Sequence, residues 1–303
     1  MPVRSPTLTG IACMVGGVSA FATMDVLIKA IGTEYSTFQI LFFRMLFSWL
    51  PFYALLRRDG GIGALRTRRP GLHAVRSVLL VFTTFCFFFA FQRLPMAEIY
   101  AVSFASPLLM TLLSVPMLGE RFGWRRGVAI VVGFLGVLVI LRPGTGALSM
   151  LALVPVAGTA TFSVGMLLGR MLARTDTNSS ILFYLNALGL LVSAAALPFV
   201  GRWPDEPRDW ALFVGIGLIG GVAQIFQLQA FRLAPVSVIG PFQYLSLLWG
   251  LFYGWTLFAE WPDAWSLAGA GIVMASGLYV LYRETVVARA PRVRPSAALG
   301  DQP

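Results

Sequence analysis

Long apolar runs recur along the whole chain, each close to the roughly 20 residues that a helix needs to cross a bilayer at 1.5 Å per residue. We read ten of them, at 8–31, 38–56, 75–92, 96–118, 127–142, 150–172, 179–200, 210–231, 235–258 and 265–282. Most connections between them are short. The longest, 57–76, contains Gly60-Gly61, Gly63, Pro70 and six Arg. The tail after Arg283 is rich in Arg, Pro and Ala, and disorder is expected there. Ala20-Phe21-Ala22 in the first run has the form of a signal-peptide cleavage site. Cleavage is not expected, because the run continues past it and has a counterpart later in the chain. The pattern predicts an all-α polytopic membrane protein.

Composition sharpens this. The 303 residues are 57% hydrophobic and 12% charged, with a mean hydropathy of +0.79. A soluble domain carries about 25% charged residues. A soluble enzyme and a disordered chain are both excluded. The net charge of +10 comes from 23 Lys+Arg against 13 Asp+Glu. Such an excess can signal nucleic acid, but that needs a basic face on a soluble domain. Here the Arg residues sit in loops between apolar runs, and no nucleic-acid partner is expected. With the N-terminus inside and ten alternating spans, 17 basic residues fall inside and 4 outside, which predicts that both termini are cytoplasmic.

The chemistry-bearing residues are few. The single Lys, Lys29, follows Asp25-Val26-Leu27-Ile28, so no Walker A loop exists to power transport within this chain. Cys13 and Cys86 lie in apolar runs and read as small hydrophobes. His73 stands alone in a basic loop, so no metal cluster is expected. There is no Gly-x-Ser-x-Gly elbow and no His-Glu-x-x-His helix. No cofactor is expected.

The two halves resemble each other. At an offset of 140, Ala90-Phe91 matches Ala230-Phe231, Pro95 matches Pro235, Ile99 matches Ile239, Leu108 matches Leu248 and Glu120 matches Glu260. At an offset of 141, Ile40-Leu41-Phe42 matches Ile181-Leu182-Phe183, and Lys29 corresponds to Arg170. Five spans per half is an odd number, so the second half must run upside down. The expected units are 1–146, 147–284 and a disordered cytoplasmic tail at 285–303. Inverted repeats are the architecture of many secondary transporters, with the site at the repeat interface near the midplane.

Several motifs point to a known family. These are Arg93-Leu94-Pro95-Met96-Ala97-Glu98, Ser106-Pro107-Leu108, Leu118-Gly119-Glu120-Arg121, Gly133-Phe134-Leu135-Gly136-Val137 and Arg142-Pro143-Gly144. Together they resemble the first repeat of the EamA family of the drug/metabolite transporter superfamily, and Leu233-Ala234-Pro235 through Glu260 to Gly277 is similar. The resemblance covers residues 8–284 and implies a ten-helix bacterial inner-membrane carrier with alternating access. It also implies that spans 1, 3, 4, 6, 8 and 9 surround the cavity. Phe21 to Lys29 resembles members that import riboflavin or S-adenosylmethionine.

An ionisable group near the bilayer centre costs about 2.5–3.5 kcal/mol on insertion scales and usually has a partner and a function. Four are candidates: Asp25 and Lys29 in span 1, Arg44 in span 2, and Glu98 at the start of span 4. Asp25 and Lys29 are four apart on one helix face and can pair. Asp25 and Arg44 are expected to form the charge element sensed by substrate or proton, and Asp25 and Glu98 to couple transport to protons. Gln224, Gln227, Gln243, Tyr244 and Trp249 are expected to shape the pocket, with Tyr100 and Ser103 facing them from span 4. Ser103 and Gln243 coincide at the 140 offset and are placed across the pseudo-two-fold axis. Pro107 and Pro116, and Gly240-Pro241 and Gly250, predict kinks in spans 4 and 9. Glycines at 133, 136, 269, 271 and 277 predict close packing of spans 5 and 10.

These readings converge on a secondary carrier in the lipid bilayer, moving a small polar or zwitterionic metabolite. An amino-acid exporter is the alternative within the class. A membrane-embedded enzyme or a non-transporting scaffold is the alternative outside it.

Overall fold

The computed structural model describes residues 6–119, 123–142, 150–234 and 236–286. Glu120, the boundary expected at 146, Pro235 and the tail expected to be disordered lie outside the described residues. Twelve helices follow in order: α1 (Pro6–Ile31), α2 (Thr37–Arg58), α3 (Pro70–Phe91), α4 (Met96–Ser103), α5 (Ser106–Leu118), α6 (Trp124–Leu141), α7 (Leu153–Leu172), α8 (Asn178–Val200), α9 (Pro207–Leu233), α10 (Val236–Ile239), α11 (Leu245–Phe258) and α12 (Ala264–Val286). They make the ten predicted passes, because α4 with α5, and α10 with α11, each form one broken pass. Among the described residues seven passes are long and apolar enough to cross a membrane unaided, and α6 and α12 hold shorter apolar stretches.

Large apolar side chains lie on the outside, among them Leu50, Val131, Leu135, Leu191 and Phe199. Polar ones lie within, among them Asp25, Arg44, Ser48, Arg76 and Asn186. This suits a chain whose solvent is hydrocarbon, where buried polar groups find partners inside the bundle.

The inversion is visible in individual contacts. On α2 and α8, Met45 packs on Gly189 and Ser48 donates to Asn186 Oδ1 at 3.2 Å, so these two helices run antiparallel. At the 141 offset Met45 corresponds to Asn186 and Ser48 to Gly189, so the two contacts are one contact seen from each half. Likewise α6 and α12 run antiparallel, with Gly133 on Ser276 and Gly136 on Val273. A Cβ on Gly136 would stand 3.0 Å from the Gly269 carbonyl oxygen. The close packing of α6 on α12 predicted for these glycines is borne out at Gly133, Gly136 and Gly269; Gly277 instead meets Tyr244, and no described residue approaches Gly271.

Both breaks have local causes. Pro107 sits in the first turn of α5, so it cannot donate back across the 104–105 turn. Beside the break, Ser163 Oγ of α7 donates to the Ser106 carbonyl at 3.3 Å. In the second half Gly240-Pro241 opens a 3-10 turn, Gly240–Tyr244. Gly250 is no kink; it lies inside α11 and makes room for the Tyr100 ring.

Tertiary ties define two ends. At the arginine-rich end Asp176, in the α7–α8 turn, is 3.0 Å from His73 Nε2 and accepts from Thr67 Oγ1. Ser179 donates to Asp59 there at 2.6 Å. His73 is therefore not in a loop as expected: α3 begins at Pro70, and His73 is buried in its first turn. At the arginine-poor end the Tyr35 hydroxyl donates to Asp209 at 2.5 Å and Gln39 Nε2 donates to the Arg202 carbonyl.

Candidate functional site

Asp25 and Arg44 stand in the middle of the bundle, 6% and 4% exposed. Asp25 is the polar residue on a face of α1 that otherwise presents Met24, Ile28 and Ile31 to the core. Its carboxylate accepts from the Tyr100 hydroxyl of α4 at 2.6 Å. The Tyr100 ring fits against Gly250 of α11, where a Cβ would come within 2.4 Å of it. Through this hydrogen bond and its ring packing, Tyr100 joins α4 to α1 and α11.

Arg44, on α2, lies against α9. Gly220 leaves the room: a Cβ there would be 2.6 Å from Met24 Sδ and 3.4 Å from Arg44 Nε. Nη1 makes a weak 3.5 Å contact with Met45 Sδ, the Phe88 ring centroid lies 5.8 Å away, and Nε has no hydrogen-bond partner among the described residues. Asp25 and Arg44 interact electrostatically but are not within the 4.0 Å of an ion pair. Two opposite charges are therefore buried as neighbours without neutralising each other by contact.

Lys29 does not take up the pairing with Asp25 that the spacing allows. Its ammonium forms an ion pair with Glu260 at 2.7 Å and donates to the Leu94 carbonyl at 2.8 Å. The reason is reach: Lys29 is in the last turn of α1, where the chain ends before α4 and before α12 come together. Glu260 also accepts from the Met96 backbone at 3.4 Å, and the Phe258 ring lies 5.3 Å from the ammonium. This knot ties α1, the start of α4 and the α11–α12 turn together at the arginine-poor end.

Trp249 and Tyr244 part company. The Trp249 indole donates to Ser19 Oγ of α1 at 3.0 Å and stacks on Tyr253 at 5.4 Å. Tyr253 lies 3.5 Å from Thr23 Oγ1. Tyr244 instead packs on Gly277 of α12 and edge-on against Phe104 at 4.8 Å. Phe104 and Tyr244 are equivalent at the 140 offset, so the breaks meet there on the pseudo-two-fold axis. The pair expected on the axis was Ser103 with Gln243. Ser103 turns its hydroxyl back to the Tyr100 carbonyl at 2.7 Å.

Gln224, Gln227 and Gln243 are half-buried and make no side-chain hydrogen bond to the described residues. Gly220, Gln224 and Gln227 share one face of α9. That face begins at Arg44 and continues towards the arginine-rich end. Glu98 is two residues from Tyr100, about 200° around α4, and faces away from Asp25.

Sequence reasoning missed Ser19, Thr23, Tyr253 and Glu260. The signal for three of them was there: Ser19 and Thr23 are four apart on α1, as are Trp249 and Tyr253 on α11.

The model of the EamA-like transporter family matches twice, at residues 8–142 and 148–282. An S-adenosylmethionine uptake transporter of Rickettsia prowazekii is 30% identical over 91% of this chain and 94% of its own. A riboflavin transporter of Brucella anthropi is 27% identical over 91% and 99%. A pseudopaline exporter of Pseudomonas aeruginosa is 28% identical over 88% and 94%. A solved crystal structure aligns with 94% of this chain and 99% of its own at a TM-score of 0.63 and 20% identity, which shows a shared fold. The chain belongs to the EamA-like transporter family and is a multi-pass membrane transporter, not an enzyme.

Proposed function

We propose that the protein is a secondary carrier for a zwitterionic metabolite of amino-acid type, working by alternating access across a bacterial inner membrane. The observation that supports this is the unbridged Asp25–Arg44 pair. A substrate ammonium would take Asp25 and a substrate carboxylate would take Arg44. Each supplies the counter-charge to a buried group that the fold leaves incompletely matched. Trp249, Tyr253 and Tyr100 supply aromatic surface beside Asp25, and Gln224, Gln227 and Gln243 supply amides. The two repeats, 1–146 and 147–284, rock about the axis at Phe104 and Tyr244. The arginine-rich end, both termini and the tail 285–303 face the cytoplasm, as the charge bias of the loops favours. The Lys29–Glu260 knot then closes the outer end.

S-adenosylmethionine has the amine and the carboxylate that this reading needs. Riboflavin has neither, and serves as the discriminating control. Asp25 is also the coupling group, because a proton and a substrate ammonium compete for one carboxylate. Glu98, on the far face of α4, has no part in this competition.

The test is counterflow in proteoliposomes with S-adenosylmethionine, riboflavin and mixed amino acids. Transient accumulation of an amine-bearing label, abolished in Asp25→Asn with insertion intact, is expected. Counterflow of riboflavin alone, or normal transport by Asp25→Asn, overturns the reading. Collapsing a pH gradient is expected to lower net accumulation without abolishing counterflow.

A further inference from the structure

A second charged cavity lies behind the candidate site. It measures about 250 Å³ and opens at the arginine-poor end between α4, α6, α7 and the start of α12. Glu98 and Val102 line it from one face of α4 and Leu94 from the turn before that helix, with Ile140, Arg142 and Asp263 opposite. Tyr100 turns to Asp25 from the other side of the same helix, so α4 itself separates the two sites.

Among the described residues the charges in this cavity do not cancel. Arg142 is bonded to Asp263. Lys29, the other cation nearby, is held by Glu260 and the Leu94 carbonyl. Glu98 is half-buried and accepts no hydrogen bond from any described residue. An ionised carboxylate has about four lone-pair sites and can only accept. Among the described residues Glu98 and Asp263 face the single cation Arg142 across the lining, so one acid is in excess; Arg142 and Lys29 act on Glu98 through space, and the remaining walls are apolar. Arg142 is also held with φ at +45°, a left-handed conformation that non-glycine residues seldom adopt.

The level of the cavity in the membrane follows from the tryptophans. Trp203, Trp255, Trp261 and Trp265 are all exposed at this end, as in the aromatic belts found at headgroup level. We infer that the Glu98 cavity is a binding site for an alkylammonium group, its ammonium on Glu98 and its carbon chain against Leu94, Ile99, Val102 and Ile140. Such a group is offered by the headgroup of a phosphatidylethanolamine lipid or by a free amine in solution. The site does not depend on the carrier's substrate.

Two measurements distinguish the sources. The purified chain is given equal amounts of dioleoyl phosphatidylethanolamine and dioleoyl phosphatidylglycerol, and the lipid retained is counted by native mass spectrometry. If the headgroup is the occupant, the wild type prefers phosphatidylethanolamine by about tenfold, the factor expected for one charge-assisted hydrogen bond. Glu98→Gln loses the preference and Glu98→Asp keeps part of it. In the second measurement n-butylammonium chloride is titrated against sodium chloride and thermal unfolding is followed. If a free amine is the occupant, n-butylammonium raises the unfolding temperature of the wild type but not of Glu98→Gln. Val102→Trp fills the cavity with Glu98 intact and is expected to abolish whichever response is seen. Asp25→Asn is expected to keep it, so failure of the central site is told apart from failure of this one. Neither a lipid preference nor an amine response, or responses that survive both Glu98→Gln and Val102→Trp, overturns the inference.

Discussion

In the first half of the chain, Asp25, Arg44, Glu98 and Tyr100 bring two acids, a base and a phenol into the helical bundle. The equivalent positions in the second half are Met166, Leu185, Val238 and Gly240. Yet the halves pack as copies, contact for contact, at Met45 on Gly189 and at Gly133 on Ser276. Small residues and apolar volume set the scaffold, and these can be duplicated at no electrostatic cost. A buried charge costs several kcal/mol each time it is placed, and one set suffices for one site. The two-fold axis therefore organises the motion we propose, while the chemistry is one-sided.

The sharpest way to break this comparison is to remove one polar group from each half. Arg44→Leu removes the group proposed to hold the substrate carboxylate, a charge-assisted contact of about 3 kcal/mol, so transport is expected to fall by about a hundredfold. Gln224→Leu removes a single neutral hydrogen-bonding group of about 1 kcal/mol, so a loss near tenfold at most is expected. Both are read from initial uptake rates in proteoliposomes at equal protein insertion. If the two variants fall equally, the second half shares the chemistry and the contrast is wrong.

A smaller effect is expected at the Lys29–Glu260 knot, where the glutamate is partly exposed and the ion pair is screened. Lys29→Gln should slow transport by about two- to fivefold, in keeping with ~0.5–1 kcal/mol. The swap Lys29→Glu with Glu260→Lys should recover part of what each single change loses. A swap that is no better than the worse single variant removes the pair from the transport cycle.

How far the sequence could be read follows from the range of each interaction. The ten passes and their inversion rest on local apolar runs and on a repeat, and both are visible in one dimension. The position of Asp25 and Arg44 in the bundle follows from their place within those runs. Partners do not. Lys29 has Asp25 one turn away, yet it pairs with Glu260, brought to it by the fold from 231 residues along the chain. Ser103 and Gln243 were one residue away from the pair that meets on the axis, because a helix turns by 100° at each step. The break itself decides which side chain faces inward, and Pro107 marks its neighbourhood without giving its register.

The mildest test concerns how each half is clamped to the other. At the 141 offset Tyr35 corresponds to Asp176, and both tie a helix connection of one half to the start of a helix in the other. Tyr35 holds Asp209 at the start of α9, and Asp176 holds His73 at the start of α3. The scaffold repeats the clamp but changes its chemistry. Burial of the phenol and its bond to Asp209 raise the Tyr35 pKa from 10.0 to about 12. Because the folded value lies above the unfolded one, the clamp's contribution is complete below pH 10 and is lost as the pH rises through about 12. Tyr35→Phe should cost about 1.5–3 kcal/mol, the range for a hydrogen bond to a charged group, and leave transport per folded molecule unchanged. Its deficit in unfolding temperature relative to the wild type should shrink above pH 10. A deficit that stays constant to the highest pH at which both proteins remain folded would place the Tyr35 contribution in ring packing against Phe213, whose centroid lies 5.1 Å away, and not in the hydroxyl.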